Sequence, residues 1–480
     1  MFVGREVEME ILNRCYGSGK FEFITVYGRR RVGKTTLIRE FCKGKRAIIF
    51  PAIEANAKDN LRLLSAAIYS FINPETKIIP TLGSFQDAFD LLAEMASKER
   101  IVFVIDEFPY LAHSDKSIIS RLQNFIDSKL KDTKLMLILS GSVSLMEDQV
   151  HGYNSPLYGR RTAQIRLLPF RYNEIKKWFP NYRPEDLALV FGILGGVPSY
   201  LERFTEKKSI SQNIQDAIMC TDAVLFEEPS NLMKQDLHEP RTYNSIIAAI
   251  AGGRTRLSEI SDAVGIESGP LTGYIDNLIS IGIVKKERPI MSDSNKKTIY
   301  LIADNFFRFW FRFVPQNMAG IVSGNMPVIF ESAVLKHLPE YMKLVFEDIC
   351  KEFLITNCNG LPFTISNIGQ WWGADPVSKA KVRIDIVAYS HDSKEAIIGS
   401  CNFSSLPASE AVLNELRSCT GAIGGKSKKY HYYIFSKSGF TLSLINVANS
   451  DPSVRLITLD EIYSVKSDDL LLHELATIES

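Results

Sequence analysis

Gly28-Arg29-Arg30-Arg31-Val32-Gly33-Lys34-Thr35 fits the pattern G-x-x-x-x-G-K-[ST] at every fixed position. An apolar run, Phe21–Tyr27, precedes it, and the segment Thr35–Cys42, with apolar residues at helical spacing, follows it. A strand, a glycine-bearing turn and a helix N-terminus in that order form a cradle for phosphate. The glycines let the backbone turn its N–H groups toward phosphate oxygens, and the helix N-terminus adds partial positive charge. The arginines Arg29, Arg30 and Arg31 make the loop unusually basic, and facing phosphate, a partner or solvent are all open to them.

In such a loop Gly28, Val32, Gly33, Lys34, Thr35 and Thr36 surround the phosphates of ATP, with Lys34 expected at the β- and γ-phosphates and the Thr35 hydroxyl on Mg²⁺. Ile101-Val102-Phe103-Val104-Ile105-Asp106-Glu107 is the matching partner. An apolar strand ends there in two acids. Asp106 is expected to hold Mg²⁺ through water and Glu107 to polarise the attacking water. A plain strand-to-turn Asp-Glu is the alternative reading.

Outward from the loop, the apolar runs Ala47–Ile53, Leu135–Ser142 and Ile165–Phe170 have strand length and lack alternation. That pattern predicts parallel strands covered by helices on both faces. Residues 171–238 read as helical, punctuated by Gly195-Gly196-Val197-Pro198. Tyr243–Ala251, Leu257–Val264 and Pro270–Ser280 read as three short helices, with Ser258 and Ser268 as caps of the second and third. Two strands follow, Ile283–Pro289 and Lys297–Ala303, joined by Met291–Lys296. This is the order of a winged helix. The third helix carries Asp276 and no Lys or Arg, so it suits the phosphates of DNA poorly. Lys285, Lys286, Arg288, Lys296 and Lys297 in the wing remain candidates for a DNA backbone, and protein docking or self-association is the other use of such a module. The aromatic run Phe306–Phe313 reads as a buried helix. A loop, Gly320–Pro327, then leads to a last α/β segment with strands Ile384–Tyr389, Ala396–Cys401 and Tyr430–Ser436.

Composition bounds the rest. The 480 residues exceed what one core usually holds. The net charge of +1 gives no global field favouring nucleic acid. Seven cysteines without a C-x-x-C spacing argue against a disulfide framework or a zinc site and fit a reducing, cytoplasmic setting. The start, Phe2-Val3-Gly4-Arg5-Glu6, has no basic region followed by an apolar stretch, and the longest apolar runs are too short to span a bilayer.

The loop and the Asp106-Glu107 strand together resemble the archaeal-type ATPase family of the AAA/STAND division of P-loop ATPases. Further segments carry that resemblance. Phe2–Glu8 looks like the amino-terminal box that covers the adenine, with Gly4 and Arg5 in it. Leu135–Leu139 with Ser140-Gly141-Ser142 looks like the sensor strand, which implies Ser140 or Ser142 near the γ-phosphate. Gly159-Arg160-Arg161-Thr162 looks like a basic motif, which implies Arg160 or Arg161 as an arginine finger. Gly195–Pro198 is similar to the turn with which lids of this division touch the base, which implicates Pro198. The resemblance also implies that the strand Leu135–Ser142 lies between the loop strand and the strand ending in Asp106.

From Phe306 onward the chain resembles the DUF234 segment that follows these ATPases and looks like a PD-(D/E)XK nuclease fold. Glu347 matches its helical acid and Asp385 its strand acid. Ser400 stands where the second strand acid belongs and Asn402 where the lysine belongs. Neither supplies charge, so nuclease chemistry is expected to be absent. Lys394 and Glu395 just upstream are the remaining substitutes. The expected fold class is thus α/β: a P-loop NTPase parallel sheet (1–170) with a helical lid (171–240), a winged-helix domain (241–315) and a small α/β nuclease-like domain (330–470). ATP, ADP and Mg²⁺ are the expected ligands.

Overall fold

Five strands carry the amino-terminal part of the chain: β1 (Glu22–Tyr27), β2 (Ala47–Pro51), β3 (Ile101–Asp106), β4 (Leu135–Gly141) and β5 (Ala163–Arg166). In the computed structural model, which describes residues 2–75, 79–291, 297–357, 360–374, 379–421, 423 and 429–464, they form one parallel sheet in the order β2-β3-β4-β1-β5. Such a sheet is covered on both faces, which is why β3 and β4 are buried at every position. Their side chains alternate between two cores. Phe103, Ile105, Leu137 and Leu139 enter one, and Val102, Val104, Met136 and Ile138 enter the other. β4 lies between β1 and β3, as the resemblance implies.

The last strand is shorter than the apolar run suggested. Ile165–Phe170 is strand only through Arg166, because Pro169 has no N–H for a ladder and the Phe170 N–H is bonded to the Gly196 carbonyl at 2.8 Å. The chain divides there into two compact units, Met1–Pro169 and the remainder from Phe170.

In the second unit one buried apolar cluster runs from Phe170 and Tyr172 through Tyr200, Ile246 and Phe306 to Val345 and Tyr463. The segments expected as lid, winged helix and nuclease-like domain share this core. The helix Asn305–Phe313 sits at its centre and buries Phe306, Phe307, Phe309, Trp310 and Phe313, each burial contributing roughly 2–3 kcal/mol. Its polar atoms are bonded as well. Trp310 Nε1 donates to the Phe226 carbonyl at 2.8 Å, and Asn305 Nδ2 donates to the Phe191 carbonyl at 3.0 Å. From the helix Leu338–Thr356, the Tyr341 hydroxyl lies 2.5 Å from the Gly192 carbonyl and 3.0 Å from that of Asn305.

The helices Pro240–Ala251, Leu257–Val264 and Ser268–Ser280 precede an antiparallel pair, β6 (Val284–Glu287) and β7 (Ile299–Ile302). Ser258 and Ser268 are not caps. Both lie inside their helices, and the Glu259 carboxylate instead accepts the Thr255 and Arg256 N–H groups at 3.1 Å. Ser292–Lys296 of the expected wing lie outside the described residues. The expected loop Gly320–Pro327 overlaps two short helices, Met318–Val322 and Met326–Ile329, whose apolar residues pack in or against the same buried cluster. The last sheet, β12-β11-β10-β9-β8, joins β8 (Asn367–Ala374), β9 (Lys381–Tyr389), β10 (Glu395–Asn402), β11 (Lys429–Ser436) and β12 (Val454–Thr458). β8, β9 and β10 pair antiparallel, and β10, β11 and β12 pair parallel.

The hairpin is welded to this last region. Lys285 Nζ lies 2.8 Å from Asp348 Oδ1 and 2.8 Å from Glu287 Oε1. Lys351 Nζ lies 3.1 Å from Asp348 Oδ1, and Arg308 Nη2 lies 3.3 Å from Asp348 Oδ2. Burial works to raise the Asp348 pKa, but Lys285, Lys351 and Arg308 together hold it well below the usual carboxylate range. Asp348→Ala would leave three cations around a missing counter-charge. The expected loss is about 3 kcal/mol, read as a lower urea midpoint by tryptophan fluorescence. An unchanged midpoint would show that the cluster adds nothing net.

Candidate nucleotide site and a second carboxylate cluster

The loop after β1 is shaped by two glycines. A Cβ on Gly28 would stand 2.3 Å from the Leu167 carbonyl oxygen, so only glycine lets the loop leave the sheet there. Gly33 has φ 95° and forms the N-cap of the helix Lys34–Cys42, a conformation that side chains resist. Val32 is fully buried beneath the loop, and Thr36 is exposed in the first turn of the helix. Lys34 is folded back, with Nζ 3.0 Å from the Gly28 carbonyl and 3.2 Å from that of Arg29. The ammonium thus sits inside the loop, where phosphate oxygens would compete with these carbonyls for it.

Thr35 Oγ1 donates to Asp106 Oδ2 at 2.7 Å. The other carboxylate oxygen accepts from the Ser140 hydroxyl on β4. Two hard oxygen ligands, a hydroxyl and a carboxylate, thus face one another, and this donor set fits Mg²⁺. Glu107 follows in the left-handed region, at φ 53° and ψ 45°, as the N-cap of the helix Phe108–Ser114. For a residue with a Cβ that costs about 1–2 kcal/mol, and retained strain of this kind gathers at working sites. No sequence signal announces it.

Arg5 ties the amino-terminal segment down. Gly4 and Arg5 both have positive φ, and Arg5 Nη2 reaches the Val32 carbonyl at 3.2 Å and the Leu168 carbonyl at 2.7 Å. The expected sensor and finger residues have other engagements. Ser140 is fully buried and occupied by Asp106, and Ser142 is buried at the head of a short helix. Arg160 grips Asp127 with Nε at 3.1 and 3.0 Å and Nη2 at 2.7 Å, while Nη1 reaches the Pro156 carbonyl at 2.8 Å. Arg161 Nη1 donates to Gln164 Oε1 at 2.7 Å. Arg160 therefore ties its loop to the helix Ser117–Ser128, and Arg161 is bonded to the strand β5 that follows it. Pro198 opens the short helix Pro198–Leu201 in the second unit.

Of the wing cations, Lys285 pairs with Asp348 and Glu287. The Ile290 N–H donates to the Gln370 carbonyl of β8 at 2.8 Å, which ties the end of the hairpin to the last sheet. Lys286, Arg288 and Lys297 are exposed, and Lys296 lies outside the described residues.

Glu347 and Asp385 do meet, but a cation lies between them. Arg383 Nη2 is 2.6 Å from Glu347 Oε2, and its Nη1 is 3.7 Å from Asp385 Oδ1. Gln370 Nε2 also donates to Glu347 Oε2 at 2.6 Å, and the Cys401 N–H donates to Asp385 Oδ2 at 2.9 Å. The sequence reading missed Arg383 and Gln370, and the only available signal was Arg383 two residues before Asp385 on one strand face. Ser400 and Asn402 occupy the far end of β10, whereas Glu395 starts it, bonded to His431 at 2.7 Å, and Lys394 pairs with Asp392 at 3.0 Å. Among the described residues no group of three or more His, Cys, Asp or Glu is arranged to hold a metal.

Burial pushes Glu347 up to about 7, Asp385 adds to the rise and Arg383 opposes it. The folded state therefore favours protonated Glu347. Its contribution to stability is fully present below the ordinary value of 4.5 and is lost as pH rises through about 7. Glu347→Gln should flatten the fall of the urea midpoint across that window, and an unaltered pH profile would refute the assignment.

A model of the ATPase domain found predominantly in Archaea matches residues 2–204, and one of archaeal and bacterial proteins of unknown function, DUF234, matches residues 310–413. An uncharacterized protein of Methanocaldococcus jannaschii is 35% identical over 402 residues, covering 83% of this chain and 86% of its own. An uncharacterized ATP-binding protein of that archaeon is 51% identical over 53 residues, 10% of this chain and 90% of its own. The Walker-type ATPase of Pyrococcus abyssi superposes with a TM-score of 0.50 at 22% identity, over 65% of this chain and 96% of that one, a likeness of fold. No helix among the described residues is long and apolar enough to cross a membrane. With the phosphate loop, the acidic strand end and the carboxy-terminal segment all in place, the chain belongs to the archaeal ATPase family that carries a carboxy-terminal DUF234 segment.

Proposed function

We propose that this ATPase is a nucleotide-driven switch, in which Mg²⁺-dependent ATP hydrolysis in the core (1–170) is coupled to a lid (171–240), a winged helix (241–315) and a degenerate nuclease-like domain (330–470). The observation that carries the reading is the Thr35–Asp106 contact at 2.7 Å with Glu107 next in the chain. Mg²⁺ held by Thr35 and Asp106 would neutralise charge on the β- and γ-phosphates. Lys34 would exchange its two loop carbonyls for phosphate oxygens. Gly4 and Arg5 would flank the base from the amino-terminal side. Glu107 would accept a proton from the attacking water, and Ser140 would keep Asp106 in register by its hydrogen bond.

The shared core of the second unit and the Lys285–Asp348 bond support transmission through lid, wing and last sheet as one body. They also argue against a free DNA-reading wing. A DNA-processing role is the second reading, favoured by exposed Lys286, Arg288 and Lys297. ATP turnover measured with and without duplex DNA separates the two, since stimulation by DNA would favour the second.

Glu107→Gln should keep ATP binding and lower turnover by about a hundredfold or more, whereas Lys34→Ala should lose ATP affinity by calorimetry with its circular dichroism unchanged. Wild-type turnover in the first, or wild-type affinity in the second, would remove these roles. The nuclease-like domain should cut neither DNA nor RNA with Mg²⁺ or Mn²⁺, because Arg383 fills the space between its acids. Cleavage that disappears in Glu347→Ala, Asp385→Ala would contradict this.

A further inference from the structure

We infer that Cys350 and Cys401 form a redox-active dithiol, which a peroxide converts into a disulfide that clamps the helix Leu338–Thr356 to β10. Both cysteines belong to the second unit, so the bond forms or fails whatever becomes of the nucleotide reading.

β10 turns one face to that helix. Ile397 and Phe403 enter the buried cluster that holds Phe346, Cys350 and Phe353, whereas Ala396 and Ile398 enter another. Cys401 follows the alternation of Ile397 and Phe403 and packs against the first cluster. The rings of Phe346 and Phe403 are in contact, with centroids 5.2 Å apart. Cys350 follows Phe346 by one helical turn, about 6 Å, and Cys401 precedes Phe403 by a two-residue strand step of about 7 Å. Matching steps along a helix and a strand that run in opposite directions bring the two sulfurs together. The thiols are in fact hydrogen-bonded to each other, and both cysteines are free of any disulfide. A disulfide forms where two sulfurs already meet and the backbone need not move far.

Cys350 is fully buried and Cys401 is partly exposed, which sets the order of events. The Cys401 sulfur attacks one peroxide oxygen, the O–O bond breaks, and the departing hydroxide leaves with the thiol proton as water. The Cys350 sulfur then attacks the Cys401 sulfenic acid at sulfur. The S–O bond breaks, and the hydroxide leaves with the Cys350 proton as a second water. The two sulfurs give up two electrons in all, and the peroxide takes them. Burial pushes both thiols up, so the reaction is expected over minutes to hours and not seconds. The new bond would close the loop 351–400, and such a cross-link stabilises chiefly by restricting the unfolded chain. It would also bear on its neighbours. Asp385 Oδ2 accepts the Cys401 N–H at 2.9 Å, and Asp348, which gathers Lys285 of the hairpin, lies on the clamped helix.

The test is peptide mapping of the full chain by mass spectrometry, without reduction, after treatment with hydrogen peroxide. Cys220 is partly exposed, its thiol donating to Asp222 Oδ1 at 2.7 Å, and peroxide is raised until Cys220 is oxidised. A peptide linking Cys350 to Cys401 is expected in wild type, and dithiothreitol should release it. Oxidised wild type should show a urea midpoint higher by about half a molar or more than reduced. Cys350→Ala and Cys401→Ala should give no such peptide and gain nothing from oxidation. The mapping in wild type decides the matter even where an alanine variant fails to fold. Oxidised Cys220 without a Cys350–Cys401 peptide would overturn the inference. So would Cys350 linked mainly to another cysteine, or Cys401 carried to the sulfinic acid with Cys350 still reduced. A linked wild type whose midpoint does not rise would overturn the clamp.

Discussion

The Asp106 carboxylate is the point on which the first unit turns. One oxygen accepts from Thr35 at the head of the loop helix and the other from Ser140 on β4. A single charged group thus joins three consecutive parts of the parallel sheet at their carboxyl ends. Open parallel sheets bind ligands at such ends, where the chain leaves the sheet and helix N-termini gather. The strained Glu107 backbone follows from the same constraint. Once Asp106 is fixed by two hydroxyls and the Phe108–Ser114 helix is packed, the residue between them has little choice of conformation.

In the second unit the organising interaction is ionic. Asp348 collects Lys285 from the hairpin, Arg308 from the aromatic helix and Lys351 from its own helix. Charges this close can be held in a half-buried place only when they are mutually paired. The arrangement binds what would otherwise be two independent modules. It also changes the meaning of a basic hairpin, because a lysine engaged with a carboxylate is not available to a phosphate. Arg383 does the same to the carboxylates Glu347 and Asp385. Their mutual repulsion is relieved by a guanidinium, where a nuclease would use a divalent ion.

Much of the first unit was legible in the chain. The loop motif, the apolar strands and the acidic strand end are local patterns, and local geometry forces them: glycine where the backbone must turn close to Leu167, continuous apolarity where both faces of a strand are covered. The strand limits were less legible. β5 ends early because Phe170 bonds Gly196, a residue distant in sequence. Ser258 and Ser268 misled as caps because both lie inside their helices, whose N-caps are Arg256 and Glu267.

The sequence alone therefore determined where the phosphate-loop motif lies, since that pattern needs fixed residue types at fixed short spacing. It also determined that the carboxy-terminal segment lacks an acid and a lysine. Only the tertiary structure decided which charges remain available. Arg160 and Lys285 look in the chain like any other basic residues, yet Asp127 and Asp348 claim them. Ion pairing depends on distance in space and on burial, and neither is written in the order of residues.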